Sequence, residues 1–181
     1  MIWPSPRSPA PAAASRTRLR VEAFRNACAR FATGVAIVTA VEDGIDYGLT
    51  VNALASLSLD PMQVIVCVAH TSNTCNPLLR TGAFAINLLS SEQARLARRF
   101  ATKVADKMSA VETRRGLLGP ALIDGAHAVL ECRLEDAIPR RSHVICIAEV
   151  ISVTVDDSKA PLVFYRSRLH GGVGRLVEPL K

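Results

Sequence analysis

The sequence predicts a mainly β protein, an antiparallel barrel with a few flanking helices. Two observations carry this. Seven to nine segments have strand length and strand character, against three with helical spacing. The two kinds do not alternate, as they would in a doubly wound parallel sheet. No glycine-rich turn of the G-x-G-x-x-G or G-x-x-x-x-G-K type is present, so a dinucleotide-binding or P-loop fold is not expected.

The elements follow in order. Residues 1–18 are rich in Pro, Ala, Ser and Arg with no apolar segment, which argues against a signal peptide. They are expected to be a disordered leader, or to reflect a mis-assigned start. Arg20–Thr33 places Val21, Phe24, Ala27, Cys28 and Phe31 at helical spacing, with Gly34 able to end the helix. This predicts an amphipathic helix covering part of a core.

Val35–Val41 reads as a buried strand, Glu42-Asp43-Gly44 as a turn and Tyr47–Ala53 as the returning strand of a hairpin. Leu54–Leu59 is a third strand, broken by Asp60-Pro61, and Gln63–Ala69 a fourth. His70–Thr74 is a polar loop whose side chains either cap a short helix at Asn76–Thr81 or hold an anion. Ala83–Leu88 is a strand. Ser90 or Ser91 with Glu92 or Gln93 starts a helix running to about Ala101. Thr102–Arg115 is irregular and basic, and Leu117–Asp124 is short and extended. Ala126–Ile138 and Val144–Val155 are two long strands. Pro161–Tyr165 and Ser167–His170 complete a domain expected over 19–172, with 173–181 a tail.

Composition narrows the function classes. A hydrophobic content of 49% over 181 residues supports one packed domain. No apolar run approaches the roughly 20 residues that span a bilayer, so no membrane role is expected. The net charge is +6, but Arg7, Arg16, Arg18 and Arg20 in the first 20 residues supply four of those charges with no acid among them. The remaining chain is nearly balanced and poor in aromatics, so no nucleic-acid partner is expected. Five cysteines without a CxxC pair and four isolated histidines offer no metal spacing. They fit a reduced, cytoplasmic protein with cysteines acting as small buried hydrophobes.

The most informative stretch is Gly48–Pro61. Thr50, Asn52, Ser56 and Ser58 are interleaved with apolar residues, and none is a strong base or thiolate. Small side chains allow close approach to the backbone, and hydroxyls and an amide supply short-range donors and acceptors. Such a wall suits a flat ligand with polar edges. It is also compatible with an ordinary strand, bulge and strand packed under a neighbour.

The order of several short motifs goes further. Phe31-Ala32-Thr33-Gly34-Val35-Ala36-Ile37-Val38-Thr39, Gly48-Leu49-Thr50-Val51-Asn52-Ala53 and Ser56-Leu57-Ser58-Leu59-Asp60-Pro61 are followed by Asn87-Leu88-Leu89, Arg99-Phe100-Ala101, Leu130-Glu131-Cys132, Ser142-His143-Val144-Ile145 and Pro161–Arg166. Over about residues 22–170 this series resembles the flavin reductase family, the small reductase partners of two-component flavin-dependent monooxygenases. The resemblance implies an FMN-binding split barrel, usually homodimeric. It implies hydride transfer from NADH or NADPH to FMN or FAD, and delivery of the reduced flavin to a separate monooxygenase.

By position, the resemblance implies that Thr50, Val51, Asn52 and Ala53 lie along the isoalloxazine edge. Ser56, Leu57 and Ser58 would line the ring and ribityl chain, with Cys67, Val68 and Ala69 as the adjacent strand. Ser72 and Thr74 would reach the phosphate, and Phe100, Ala101 and Lys107 match a loop over the flavin tail. His143 matches a histidine on the nicotinamide side. Two departures stand out. Arg141-Ser142 precede His143 where the family often has Gly-Asp, and the phosphate loop begins His70-Thr71 where many members carry Arg or Asn.

Hydride transfer asks little of protein acid–base groups, because the cofactors carry the chemistry. The protein must hold the two rings face to face. Other readings stay open on the residues alone. His143 is equally a core or interface histidine bonded to a carbonyl, Lys103 and Lys107 a solvated basic loop, and Cys67 simple packing. Arg166 and Arg168 either close a subunit interface or face water. A non-enzymatic flavin-binding sensor or carrier is the alternative function. An oxidase of a phosphorylated vitamin ranks last, for want of a basic cluster on strands.

Overall fold

The computed structural model describes residues 11–104 and 106–172. Helix α1 (Pro11–Cys28) leads into β1 (Thr33–Gly34), β2 (Ala36–Glu42), β3 (Ile45–Val51), β4 (Leu54–Leu59) and β5 (Met62–Ala69). Helix α2 (Cys75–Thr81), β6 (Ala83–Leu88), a 3-10 turn (Ser91–Gln93) and α3 (Ala94–Phe100) follow. The chain continues through β7 (Thr113–Arg115), β8 (Ala121–Ile123), β9 (Ala128–Pro139), β10 (His143–Val155), β11 (Leu162–Tyr165) and β12 (Arg168–Gly171).

Seven strands form one antiparallel sheet in the order β3-β2-β6-β9-β10-β5-β4. The sheet curls until its ends meet at the connection between β3 and β4, where the Cys67 amide donates to the Ala53 carbonyl at 3.0 Å. Among the described residues no ladder joins β3 to β4, so the barrel stays open along that seam.

Period-two alternation fills the interior. Ala36, Val38 and Ala40 of β2, Val64, Val66 and Val68 of β5, and Val144, Cys146 and Ala148 of β10 all point inward and are buried. Each fully buried Val, Leu, Ile or Phe contributes about 1.5–3 kcal/mol. Strand β2 is buried on both faces, because a second core lies outside the barrel. Ile37, Leu89, Phe100 and Leu162 pack there under α3 and β11. Buried Asn87 ties this outer layer to the sheet. Its amide donates to the Ile37 carbonyl at 3.0 Å and the Thr39 hydroxyl at 3.2 Å, and its oxygen accepts from the Ile123 N–H at 2.8 Å.

Most elements lie within two residues of expectation, and β7 and β8 form a small ladder inside the segment expected to be irregular and extended. The N-terminal helix differs. It runs Pro11–Cys28 rather than Arg20–Thr33, and Leu19, Val21 and Phe24 are 65%, 45% and 70% exposed, so their side chains cover no core among the described residues. It ends early because residues 29–34 are needed elsewhere. The chain turns at Ala29–Phe31 and enters β1, which pairs Thr33 with Phe164. Cys28 is exposed and Cys67 half-buried. Cys75, Cys132 and Cys146 are buried as expected, and burial pushes the Cys132 and Cys146 thiols up to about 12. Residues 1–10 and 173–181, parts of the expected leader and tail, lie outside the described residues.

Candidate functional site

The Gly48–Pro61 stretch turns from barrel edge to barrel edge, and its inward and outward residues do different work. Leu49, Val51 and Leu54 pack toward the interior. Thr50 and Asn52 face outward into a cleft of about 540 Å³, within the range of small-molecule sites. The Thr50 hydroxyl donates to the Ala97 carbonyl at 2.7 Å, which fixes α3 against the strand. The exposed Asn52 amide donates to the Thr33 hydroxyl at 3.4 Å. Thr50, Val51 and Asn52 form one wall, Ala97, Arg98 and Ala101 of α3 a second, and Phe164, Ser167 and Arg168 of the β11–β12 hairpin a third.

Gly48 admits a close approach, but from within the chain. A Cβ there would lie 2.2 Å from the Phe100 ring. Phe100 is wholly buried, so its ring belongs to the outer core, and Ala101 is the neighbour that reaches the cleft. Lys107 sits behind this contact, donating to the Phe100 carbonyl at 3.0 Å and the Gly48 carbonyl at 3.5 Å. Burial of its ammonium lowers its pKa. Lys107 and Thr74 share a second cavity of about 450 Å³ along the other end of β3, with Tyr47 and Asn73.

The remaining expected residues lie across the seam. Cys67 and Ala69 alternate with Val68, which is buried in the barrel and offers a ligand only its backbone. The Ala53–Cys67 bond makes Thr50–Ala53 and Cys67–Ala69 one continuous outer surface. Ser56 and Leu57 are exposed on edge strand β4, where a bulge falls between Ser56 and Ser58, and the Ser58 hydroxyl accepts from the Asp60 N–H at 3.2 Å. His143 lies opposite Ala69 in the ladder, and its Nδ1 is 2.9 Å from the Ser142 hydroxyl. Serine thus occupies the orienting position beside the ring. In the following loop the Ser72 hydroxyl accepts from the Cys75 N–H at 3.1 Å, serving the start of α2, and Thr74 is buried.

Sequence reasoning singled out Thr50, Val51, Asn52 and Ala101 of the cleft but not Arg98, Phe164, Ser167 or Leu169, and it left Arg168 between two roles. The turn of this hairpin carries no sequence signal. Arg166 and Ser167 both have positive φ, 48° and 60°, as a two-residue type I′ turn requires. The β2–β3 hairpin satisfies the same requirement with Asp43-Gly44, at 51° and 76°, residues suited to it. Arg-Ser is not suited, and each such strained residue costs about 1–3 kcal/mol, a cost that concentrates at functional sites.

Comparison with known proteins gives the family. The family described as flavin reductase like domain matches residues 28–172. The chain is 38% identical over 146 residues to the actinorhodin polyketide dimerase of Streptomyces coelicolor, covering 80% of this chain and 82% of that protein. It is 40% identical over 145 residues to the reductase component of the 4-nitrophenol 4-monooxygenase/4-nitrocatechol 2-monooxygenase of Rhodococcus opacus, covering 80% and 77%. The crystal structure of nitrilotriacetate monooxygenase component B from Mycobacterium thermoresistibile superposes with a TM-score of 0.86 at 28% identity, over 91% of this chain and 93% of that one. The NADH:FAD oxidoreductase SgcE6 of Streptomyces globisporus C-1027, in complex with NAD and FAD fragments, superposes with a TM-score of 0.81 at 30% identity, over 87% and 94%.

Proposed function

The chain belongs to the flavin reductase like domain family, and on that premise we propose that it is an NAD(P)H:flavin oxidoreductase supplying reduced FMN or FAD to a separate monooxygenase. The observation that carries this reading is the family match over residues 28–172, which includes every wall of the cleft. The donor set fits a flavin. Thr50 and Asn52 offer polar groups at ring height, and among the described residues no carboxylate lines the cleft and no cluster of three metal-ligating side chains exists.

When both partners are bound, the nicotinamide supplies a hydride from C4 and the flavin accepts it at N5. The chain positions, shields and releases. Thr50–Ala53 and Cys67–Ala69 form the surface for the ring, and Phe164 together with α3 excludes water from one side. Ser142 holds the His143 imidazole at the far end of that surface, where it orients the nicotinamide.

A homodimer completes the assembly in this reading. Leu57, Leu59 and Met62 around edge strand β4, and Leu19 and Phe24 on α1, are exposed in one chain, a distribution that a second subunit would cover. No described helix is long and apolar enough to cross a membrane.

The test is direct. Purified protein with FMN or FAD is expected to consume NADH or NADPH, followed at the nicotinamide absorbance band. Absence of turnover with every flavin–nicotinamide pair overturns the assignment.

A further inference from the structure

We propose that Arg98 and Arg168 clamp the phosphate ester of the flavin nucleotide across the mouth of the cleft, so that the protein selects FMN and FAD over uncharged riboflavin. The inference rests on the flavin reductase reading and adds to it the residues that read the ligand's charge.

Arg98 and Arg168 come from unrelated elements, the last turn of α3 and the first residue of β12, yet both residues line the cleft walled by Thr50 and Asn52. Among the described residues neither has an ion-pair partner. Arg80, Arg114, Arg115 and Arg133 are each matched to a carboxylate, with Glu42, Asp124, Asp46 and Glu149. With no acid in the cleft lining, the local field favours an anion. Guanidinium forks match phosphate oxygens in geometry as well as charge.

The turn beside Arg168 is an independent pointer. Glycine or asparagine would relieve the positive φ at position 167, where the chain instead has a serine that lines the cleft beside Arg168. Strain retained at a ligand-facing turn is what a binding role predicts. The loop to which the resemblance assigns the phosphate does not line this cleft; Asn73 and Thr74 line the second cavity instead.

The experiment compares riboflavin, FMN and FAD as substrates of the wild type and of the full-length R98Q/R168Q variant, at low and high salt. The ratio of KM for FMN to KM for riboflavin is expected to rise by about tenfold or more, the loss of one or two charge-assisted contacts. In the wild type that ratio is expected to rise with ionic strength. A general loss of cleft shape would move both flavins together and overturn the proposal, as would an unchanged ratio. A rise confined to the KM of NADH would place the clamp on the nicotinamide's phosphates and overturn its assignment to flavin.

If the double variant does not fold, inorganic pyrophosphate added to the wild type decides. Inhibition competitive with FMN but absent against riboflavin supports the clamp, and equal or no inhibition overturns it. Should the wild type reduce no flavin, the reductase reading fails by itself. Equilibrium titration of FMN and riboflavin fluorescence still measures the selectivity that the clamp predicts.

Discussion

Gly48 and Phe100 occupy one another's space: the ring edge of Phe100 lies where a Cβ of residue 48 would be, 2.2 Å away. The contact joins β3 to the end of α3, and the Lys107 ammonium bonds the carbonyls of both residues. The absence of a side chain at position 48 therefore lets the helix sit low enough for Thr50 to reach the Ala97 carbonyl.

Gly48→Ala is expected to destabilise the protein by about 1–3 kcal/mol through overpacking, measured by denaturant unfolding. Combining it with Phe100→Leu should recover part of the loss, because the two sites share one volume. Strict additivity of the two substitutions would show that they do not compete for that space.

Asn87→Ala removes a wholly buried amide and leaves the Ile123 N–H without its acceptor. A loss of about 1–3 kcal/mol is expected for an unsatisfied buried donor, with no gain from the smaller side chain. A stability within about 0.5 kcal/mol of wild type would place the pinning of β8 elsewhere.

His143→Ala should raise the KM for the nicotinamide more than that for the flavin. Ser142→Ala should act in the same direction and more weakly, since it removes only the hydroxyl 2.9 Å from Nδ1. Steady-state kinetics with each co-substrate varied in turn separates the two. A larger effect on flavin would take the histidine out of the nicotinamide role.

Lys107 gives a pH signature. Burial lowers its pKa in the folded protein from 10.5. The unfolded chain therefore binds more protons between the lowered value and 10.5, and stability gains a contribution that grows as pH rises through that window. That contribution is lost again as pH falls. The stability difference between wild type and Lys107→Met should shift in favour of wild type as pH rises toward 10.5. A pH-independent difference would show that the ammonium is not desolvated.

Much of the barrel was legible because alternation depends on neighbours two residues apart. Val64, Val66 and Val68 declare a face without knowing what they meet. Asp43-Gly44 likewise states its turn locally. Helix α1 differs from expectation because Val21, Phe24 and Phe31 specify an apolar stripe but not its cover, and among the described residues nothing covers it. The glycine at position 48 announced a close approach, yet only the fold shows that the visitor is Phe100. Arg98 and Arg168 are 70 positions apart in sequence, and no local pattern marks them as facing one cleft. They share it because the β11–β12 hairpin packs Leu162, Phe164 and Leu169 against Ala97 and Phe100 of α3.

That pairing has a mechanical result. The Arg166 amide donates to the Ala29 carbonyl at 2.7 Å, so the hairpin roofing the ligand chamber is tethered to the residue just after the projecting helix. Ala29 is one covalent step from the last residue of α1 and one hydrogen bond from the turn at Arg166, so the end of that helix and one wall of the cleft are fixed to each other.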